Sequence, residues 1–190
     1  KSKALHSEPL LDSGCGEGYY TDAMQSEVMQ CIGVDIAKNA VQVAAKLNKE
    51  VTWVVGTGAT LPVMDQSIDL CSSLFSPIPK EEILRVLKPK AYLMVVTPAP
   101  QHLYAMREAL FEEVQAHDPH KFVHQLEDAF ELLEEHVIAA PMLLSQQELK
   151  HLIAMTPYAY KAKAERRNDL EAKERYALNA QFQLFIFQKK

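Results

Sequence analysis

The chain of 190 residues holds only three cysteines, Cys15, Cys31 and Cys71. They are widely spaced, odd in number and form no C-x-x-C pair, which argues against a disulfide framework or a zinc knuckle and favours a reducing compartment. No apolar run approaches the roughly 20 residues of a spanning helix, and nothing near Lys1 reads as a signal peptide. Basic excess is lacking as well. The formal net charge is −5, which argues against tight, purely electrostatic binding of nucleic acid by this chain alone and leaves room for a local basic patch. These absences point to a soluble cytoplasmic protein with no membrane partner. With 48% hydrophobic residues, residues 1–190 suffice for one domain with a sizeable core.

What is present alternates between strand and helix. Leu10–Asp12 reads as the end of a buried strand, Tyr19–Met29 as a helix, Cys31–Ala37 as a second strand and Lys38–Asn48 as a second helix. Strands follow at Val51–Gly56 and Ser67–Ser76, a short helix at Pro79–Leu87 and a fifth strand at Ala91–Thr97. Leu103, Met106, Leu110 and Val114 recur at helical spacing within a longer helix over Gln101–Ala116. The acidic, leucine-rich stretch Leu126–Leu133 reads as an amphipathic packing helix or lid. His136–Leu144 reads as a strand in which Pro141 marks an edge or bend. Ser145 and Glu148 form a capping box for a helix ending before Pro157, and Ala180–Gln188 alternates as a last strand. The expected fold class is α/β, a doubly wound, mostly parallel sheet with an antiparallel edge. Ligands of such sheets bind beyond the carboxyl ends of the strands.

At that end lies "LLDSGCGEGYY", Leu10–Tyr20. Glycine at 14, 16 and 18 permits positive φ and close approach of a ligand to the backbone, and the following helix start offers free N–H groups. The spacing is G-x-G-x-G, not the G-x-G-x-x-G of nicotinamide and flavin sites, and no Lys-Ser/Thr ending makes it a P-loop. Asp35, 23 residues after Asp12, closes the second strand and can accept hydrogen bonds from a ribose diol. The combination resembles S-adenosylmethionine-dependent methyltransferases of the Rossmann-like, seven-stranded class.

Longer blocks narrow the likeness. "LDSGCGEGYYT" (Leu11–Thr21), "LKPKAYLMVVTPAPQHLYAMREALFEEVQAHDPH" (Leu87–His120) and "MTPYAYKA" (Met155–Ala162) resemble the bacterial large-subunit (23S) ribosomal RNA guanine-N1 methyltransferases. The resemblance implies S-adenosyl-L-methionine as cofactor, ribosomal RNA as substrate and a homodimer. It implies cofactor contacts from Asp12, Gly14, Gly16, Glu17, Gly18 and Asp35, from Thr57 and Leu61 beside the adenine, and from His102, which closes the T-P-x-P-x-H turn. The family's zinc belongs to an N-terminal module with paired cysteines, which is not found in these residues, so the expectation is a catalytic portion without that module. A tyrosine-containing segment upstream of the loop, which helps bind the cofactor in the family, is likewise missing or unrecognisable. Ser13 replaces an apolar residue, and Lys90-Ala91 stands where Gly-Gly is common, so that turn is expected to use another geometry.

Removing the proton from guanine N1 calls for a base, for which His102 and Asp118 are the candidates. His117, His120 and His124 are loosely spaced around Pro119 and lack a completing ligand, so no metal is expected. His136 and His151 read as ordinary histidines, and His6 as part of a chain end. Lys161, Lys163, Arg166 and Arg167 read equally as phosphate contacts or as a solvated helix face. A small-metabolite methyltransferase and a non-catalytic cofactor-binding RNA or protein interaction subunit are the alternative functions.

Overall fold

The computed structural model describes residues 9–190, so His6 lies outside the described residues. Two compact units emerge. One comprises the described residues up to Thr97 with His120–His136 and Leu184–Lys190; the other comprises Pro98–Pro119 and Val137–Gln183.

The elements of the first unit begin with β1 (Pro9–Ser13), α1 (Tyr19–Gln25), β2 (Gln30–Asp35), α2 (Lys38–Leu47), β3 (Thr52–Val55), β4 (Ile68–Leu74), α3 (Lys80–Val86) and β5 (Leu87–Pro98). β1 pairs in parallel with β2 and β4, β2 with β3, and β4 with β5. Apolar runs at the strand centres bury both faces, as parallel strands require. Leu11, Val34, Cys71, Ile83, Leu93 and Phe185 join one core cluster. The register sets Asp12 beside Gly33 on one side and Ser72 on the other.

The remaining elements are α4 (Tyr104–Leu110), α5 (Lys121–Leu126), β6 (Phe130–Ser145), α6 (Gln146–Met155), α7 (Tyr158–Lys161), α8 (Ala164–Glu171) and β7 (Arg175–Lys189). Strand order is β3-β2-β1-β4-β5-β7-β6, a seven-stranded mixed sheet with an antiparallel edge, as the sequence pattern predicts. Leu103, Met106, Leu110, Leu149, Ile153 and Leu178 form the core of the second unit. The capping box is present: Ser145 N–H donates to Glu148 Oε2 at 2.8 Å while Glu148 N–H donates to Ser145 Oγ at 3.4 Å.

Four local expectations are corrected. The Gln101–Ala116 helix stops at Leu110, because buried Arg107 donates to the carbonyls of Pro100 (2.9 Å) and Gln115 (2.8 Å) and turns the chain back. Leu126–Leu133 is no helix. α5 ends at Leu126, Asp128 pairs with Lys80 at 2.6 Å, and Phe130 opens β6 as a buried side chain. That strand begins six residues before His136, and its Val137, Ile138 and Leu143 are exposed, with Pro141 on the sheet's outermost strand. Lys90-Ala91 lies within β5 where its register with β4 shifts, and Lys90 takes the left-handed conformation (φ 63°) that a glycine adopts freely.

Candidate functional site

The carboxyl ends of β1, β2, β3 and β4 converge on a cavity of about 550 Å³. Its wall comprises Ser13 and Gly14 at the end of β1, residues 34–36 at the end of β2, residues 56–59 after β3 and residues 74–79 from the end of β4 onward. This is the crevice that a doubly wound sheet reserves for its ligand, and its volume suits a nucleoside-sized molecule.

Gly14, Gly16 and Gly18 all have positive φ (86°, 55° and 82°). The loop they form is fixed from three directions. Gly14 N–H donates to the Val34 carbonyl at 2.8 Å. Gly16 N–H donates to Asp35 Oδ2 at 2.8 Å. Ser76 Oγ donates to the Ser13 carbonyl at 2.7 Å, and a Cβ on Gly14 would stand 2.5 Å from Ser76 Cβ. At Gly16 a Cβ would meet nothing within 4 Å. The loop backbone is therefore open to a ligand at Gly16 and closed by protein elsewhere.

Asp35 is half-buried at the end of β2. Its second oxygen, Oδ1, accepts from Ala37 N–H at 2.8 Å. Each carboxylate oxygen carries two acceptor sites, so Asp35 retains capacity for a diol while holding the loop. Asp12 behaves differently. It does not line the cavity; it is 2% exposed, and Thr21 and Ser72 donate to its two oxygens at 2.5 and 2.8 Å. Burial drives its pKa upward against the two hydroxyl hydrogen bonds, with Asp35 adding a smaller push. Asp12 thus ties β1 to α1 and β4 beneath the loop.

The other expected contacts divide. Thr57 lines the cavity, and its Oγ1 accepts from Ala59 N–H at 3.2 Å. Leu61 is buried in the core, and its N–H donates to Glu82 Oε2 at 2.6 Å. Arg85 grips the same carboxylate, and the two hydrogen bonds hold the Glu82 pKa at about 2. Glu17 is exposed, and a Cβ on buried Gly18 would strike the ring of Trp53. Sequence reasoning missed residues 74–79. The signal was the S-P-I-P run directly after a strand, a turn pattern at the ligand end of the sheet.

His102 and Asp118 belong to the second unit. His102 Nδ1 lies 2.8 Å from the Gln181 carbonyl. A carbonyl only accepts, so Nδ1 carries the proton and Nε2 presents a lone pair. Burial lowers the His102 pKa and keeps the ring neutral, an effect the Gln181 carbonyl partly offsets. Asp118 is exposed. The three clustered histidines have separate neighbours: Tyr158 for His117, Glu135 for His120 and Glu127 for His124. Among the described residues, no group of three or more His, Cys, Asp or Glu could hold a metal ion. Of the basic cluster, Lys163 pairs with Glu112, Arg166 donates to the Phe111 carbonyl and Arg167 to that of Ala159. The two arginines brace backbone carbonyls of the second unit, whereas the Lys163–Glu112 pair is exposed. No described helix is long and apolar enough to cross a membrane.

Residues 11–95 match the family described as "Methyltransferase domain". Match, strand order and glycine loop are those of methyltransferase domains of Rossmann-like fold, and they support an S-adenosylmethionine-dependent methyltransferase. Among individual proteins, the "Putative 23S rRNA (guanine-N(1)-)-methyltransferase YxjB" of Bacillus subtilis is 28% identical over 168 residues, covering 83% of this chain and 58% of YxjB. The 23S rRNA (guanine(748)-N(1))-methyltransferase of Streptomyces fradiae is 28% identical over 155 residues, covering 80% of this chain and 55% of that protein. The chain thus spans a little over half the length of these curated relatives. The YcgJ crystal structure from Bacillus subtilis superposes with a TM-score of 0.68 at 18% identity, covering 100% of this chain and 94% of that one, a likeness of fold.

Proposed function

We propose that this protein methylates N1 of a guanine in large-subunit ribosomal RNA. The observation that carries the reading is the extent of the likeness to two proteins named for guanine-N1 methylation of 23S rRNA, YxjB and the Streptomyces fradiae enzyme. It covers at least 80% of the chain, well past residues 11–95, and so takes in sequence that the general methyltransferase domain leaves unmatched.

The residues of the crevice fit the cofactor. Asp35 offers the ribose its remaining acceptor sites, Gly16 leaves the loop backbone open to close approach, and residues 57–59 border the adenine side. Asp12 acts beneath them by holding the loop. S-adenosylmethionine supplies an electrophilic methyl on a sulfonium, which the acceptor nitrogen takes as the C–S bond breaks and its electron pair leaves with sulfur. The protein's part is to orient the two reactants and exclude water. The N1 proton requires an acceptor, and His102 is the better of the two candidates: its Nε2 lone pair is set by the Nδ1–H bond to Gln181, and burial keeps it neutral.

The test is transfer of label from S-adenosylmethionine to unmodified 23S ribosomal RNA by the full-length protein, with the product nucleosides separated. Label in 1-methylguanosine is the expected result. Tight cofactor binding with no label in RNA overturns the reading and transfers the search to small metabolites, an acceptor class compatible with the net charge of −5.

A further inference from the structure

The mouth of the crevice carries exposed aromatic side chains. Tyr19 and Tyr20 open α1 directly after the glycine loop, 80% and 45% exposed, with ring centroids 5.2 Å apart and planes nearly perpendicular. Phe75, on the segment after β4, is 46% exposed and lines the cavity, and its ring lies 6.0 Å from that of Tyr20.

The backbone under Phe75 is built to hold the ring there. Phe75 has φ 58°, a left-handed conformation that is costly for a bulky side chain and marks functional segments. Neighbouring contacts enforce it. Phe75 N–H donates to the Val96 carbonyl at 2.9 Å, Ser73 and Ser76 hydroxyls meet at 2.9 Å, and Ser76 fastens the turn to Ser13.

The order of the strands says which end of the cofactor this is. With the ribose at Asp35 on β2 and the adenine toward residues 57–59 after β3, the reactive end extends past Gly14 on β1 to the segment after β4. Phe75 and Tyr20 stand at that end. We propose that the ring of Phe75, backed by that of Tyr20 tilted 52° against it, forms a stacking platform for the purine base that receives the methyl group; this rests on the reading under Proposed function. A base in folded RNA must leave its own stack before its ring nitrogen can react, and an aromatic surface at the reactive end replaces the lost stacking. The rings also account for recognition by a protein of negative net charge, since stacking needs no phosphate contact.

The experiment uses the full-length protein saturated with S-adenosylhomocysteine. Two RNA hairpins are compared by fluorescence anisotropy, one with a guanine in its loop and one abasic at that position. The wild type is expected to prefer the guanine loop. Phe75→Leu and Tyr20→Leu each abolish that preference at saturating S-adenosylhomocysteine and raise the KM for RNA by about 5- to 100-fold; Tyr20→Phe keeps it. Two variants on different elements guard against one failing to fold, and a cooperative denaturant transition certifies each. A wild type indifferent to the abasic site overturns the platform, as do Leu variants with unchanged preference. The two proposals separate cleanly. A ring-dependent guanine preference without label in ribosomal RNA keeps the platform and sinks the RNA substrate; ring-independent labelling does the reverse.

Discussion

Gly16 N–H donates to Asp35 Oδ2 at 2.8 Å across 19 residues of chain. The acid expected to hold the ribose therefore also sets the glycine loop, and a change at Asp35 is felt at both places. Asp35→Ala is expected to weaken S-adenosylhomocysteine binding by about 10- to 100-fold, the scale of one charge-assisted hydrogen bond. Isothermal calorimetry reads it directly; unchanged affinity would remove Asp35 from the site.

Gly18 and Gly16 separate stability from binding. A Cβ at Gly18 would stand 2.3 Å from Trp53 Cη2, on a backbone at φ 82°. Gly18→Ala is expected to cost about 2–4 kcal/mol, overpacking added to backbone strain. Gly16→Ala meets no protein atom, so its larger effect falls on cofactor affinity. Trp53, the single tryptophan, reports both variants in urea titrations followed by fluorescence.

Asp12 gives a pH signature. Burial raises its pKa in the folded state above the ordinary 3.8, so the folded protein binds the extra proton. Its contribution to stability then falls as pH rises from about 3.8 through the folded-state pKa and is level above it. Asp12→Asn should flatten that slope, whereas Asp12→Ala strands the Thr21 and Ser72 hydroxyls and should cost about 1–3 kcal/mol at all pH values. Denaturant midpoints across pH distinguish the two.

If His102 accepts the N1 proton, the acid limb of kcat lies below the usual histidine range near 6.5, because burial lowers its pKa. His102→Gln should lower kcat by about 100-fold or more and remove that limb while sparing the KM for RNA. An unchanged pH profile would leave the role to another group.

Much of the crevice was legible in the sequence because the loop is a local backbone device. Three glycines with positive φ leave a visible spacing, and Asp35 stands at a strand end that its apolar run announces. The segment after β4 was harder to see. Its place against Gly14 arises from the contact of Ser76 with a strand 63 residues away, and no periodicity encodes such a meeting. Leu61 has the composition of a binding-site neighbour, yet its side chain joins the core and its N–H is taken by Glu82. The stretch Leu126–Leu133 misleads for a related reason: its leucines alternate between a buried helix end and an exposed strand, which from spacing alone imitates one amphipathic helix. Lys90 shows a lysine taking a glycine's conformation where the surrounding strands demand it.

Pro141 has a consequence for how the molecule behaves in company. Residues 137–144 of β6 carry no charge and expose Val137, Ile138 and Leu143 along the outermost strand. In that stretch the imino acid is the one residue without a backbone donor, and it denies an incoming strand a complete ladder. Pro141→Val would turn a guarded border into a template, and light scattering on storage would record the loss of colloidal restraint before any change in the folded core.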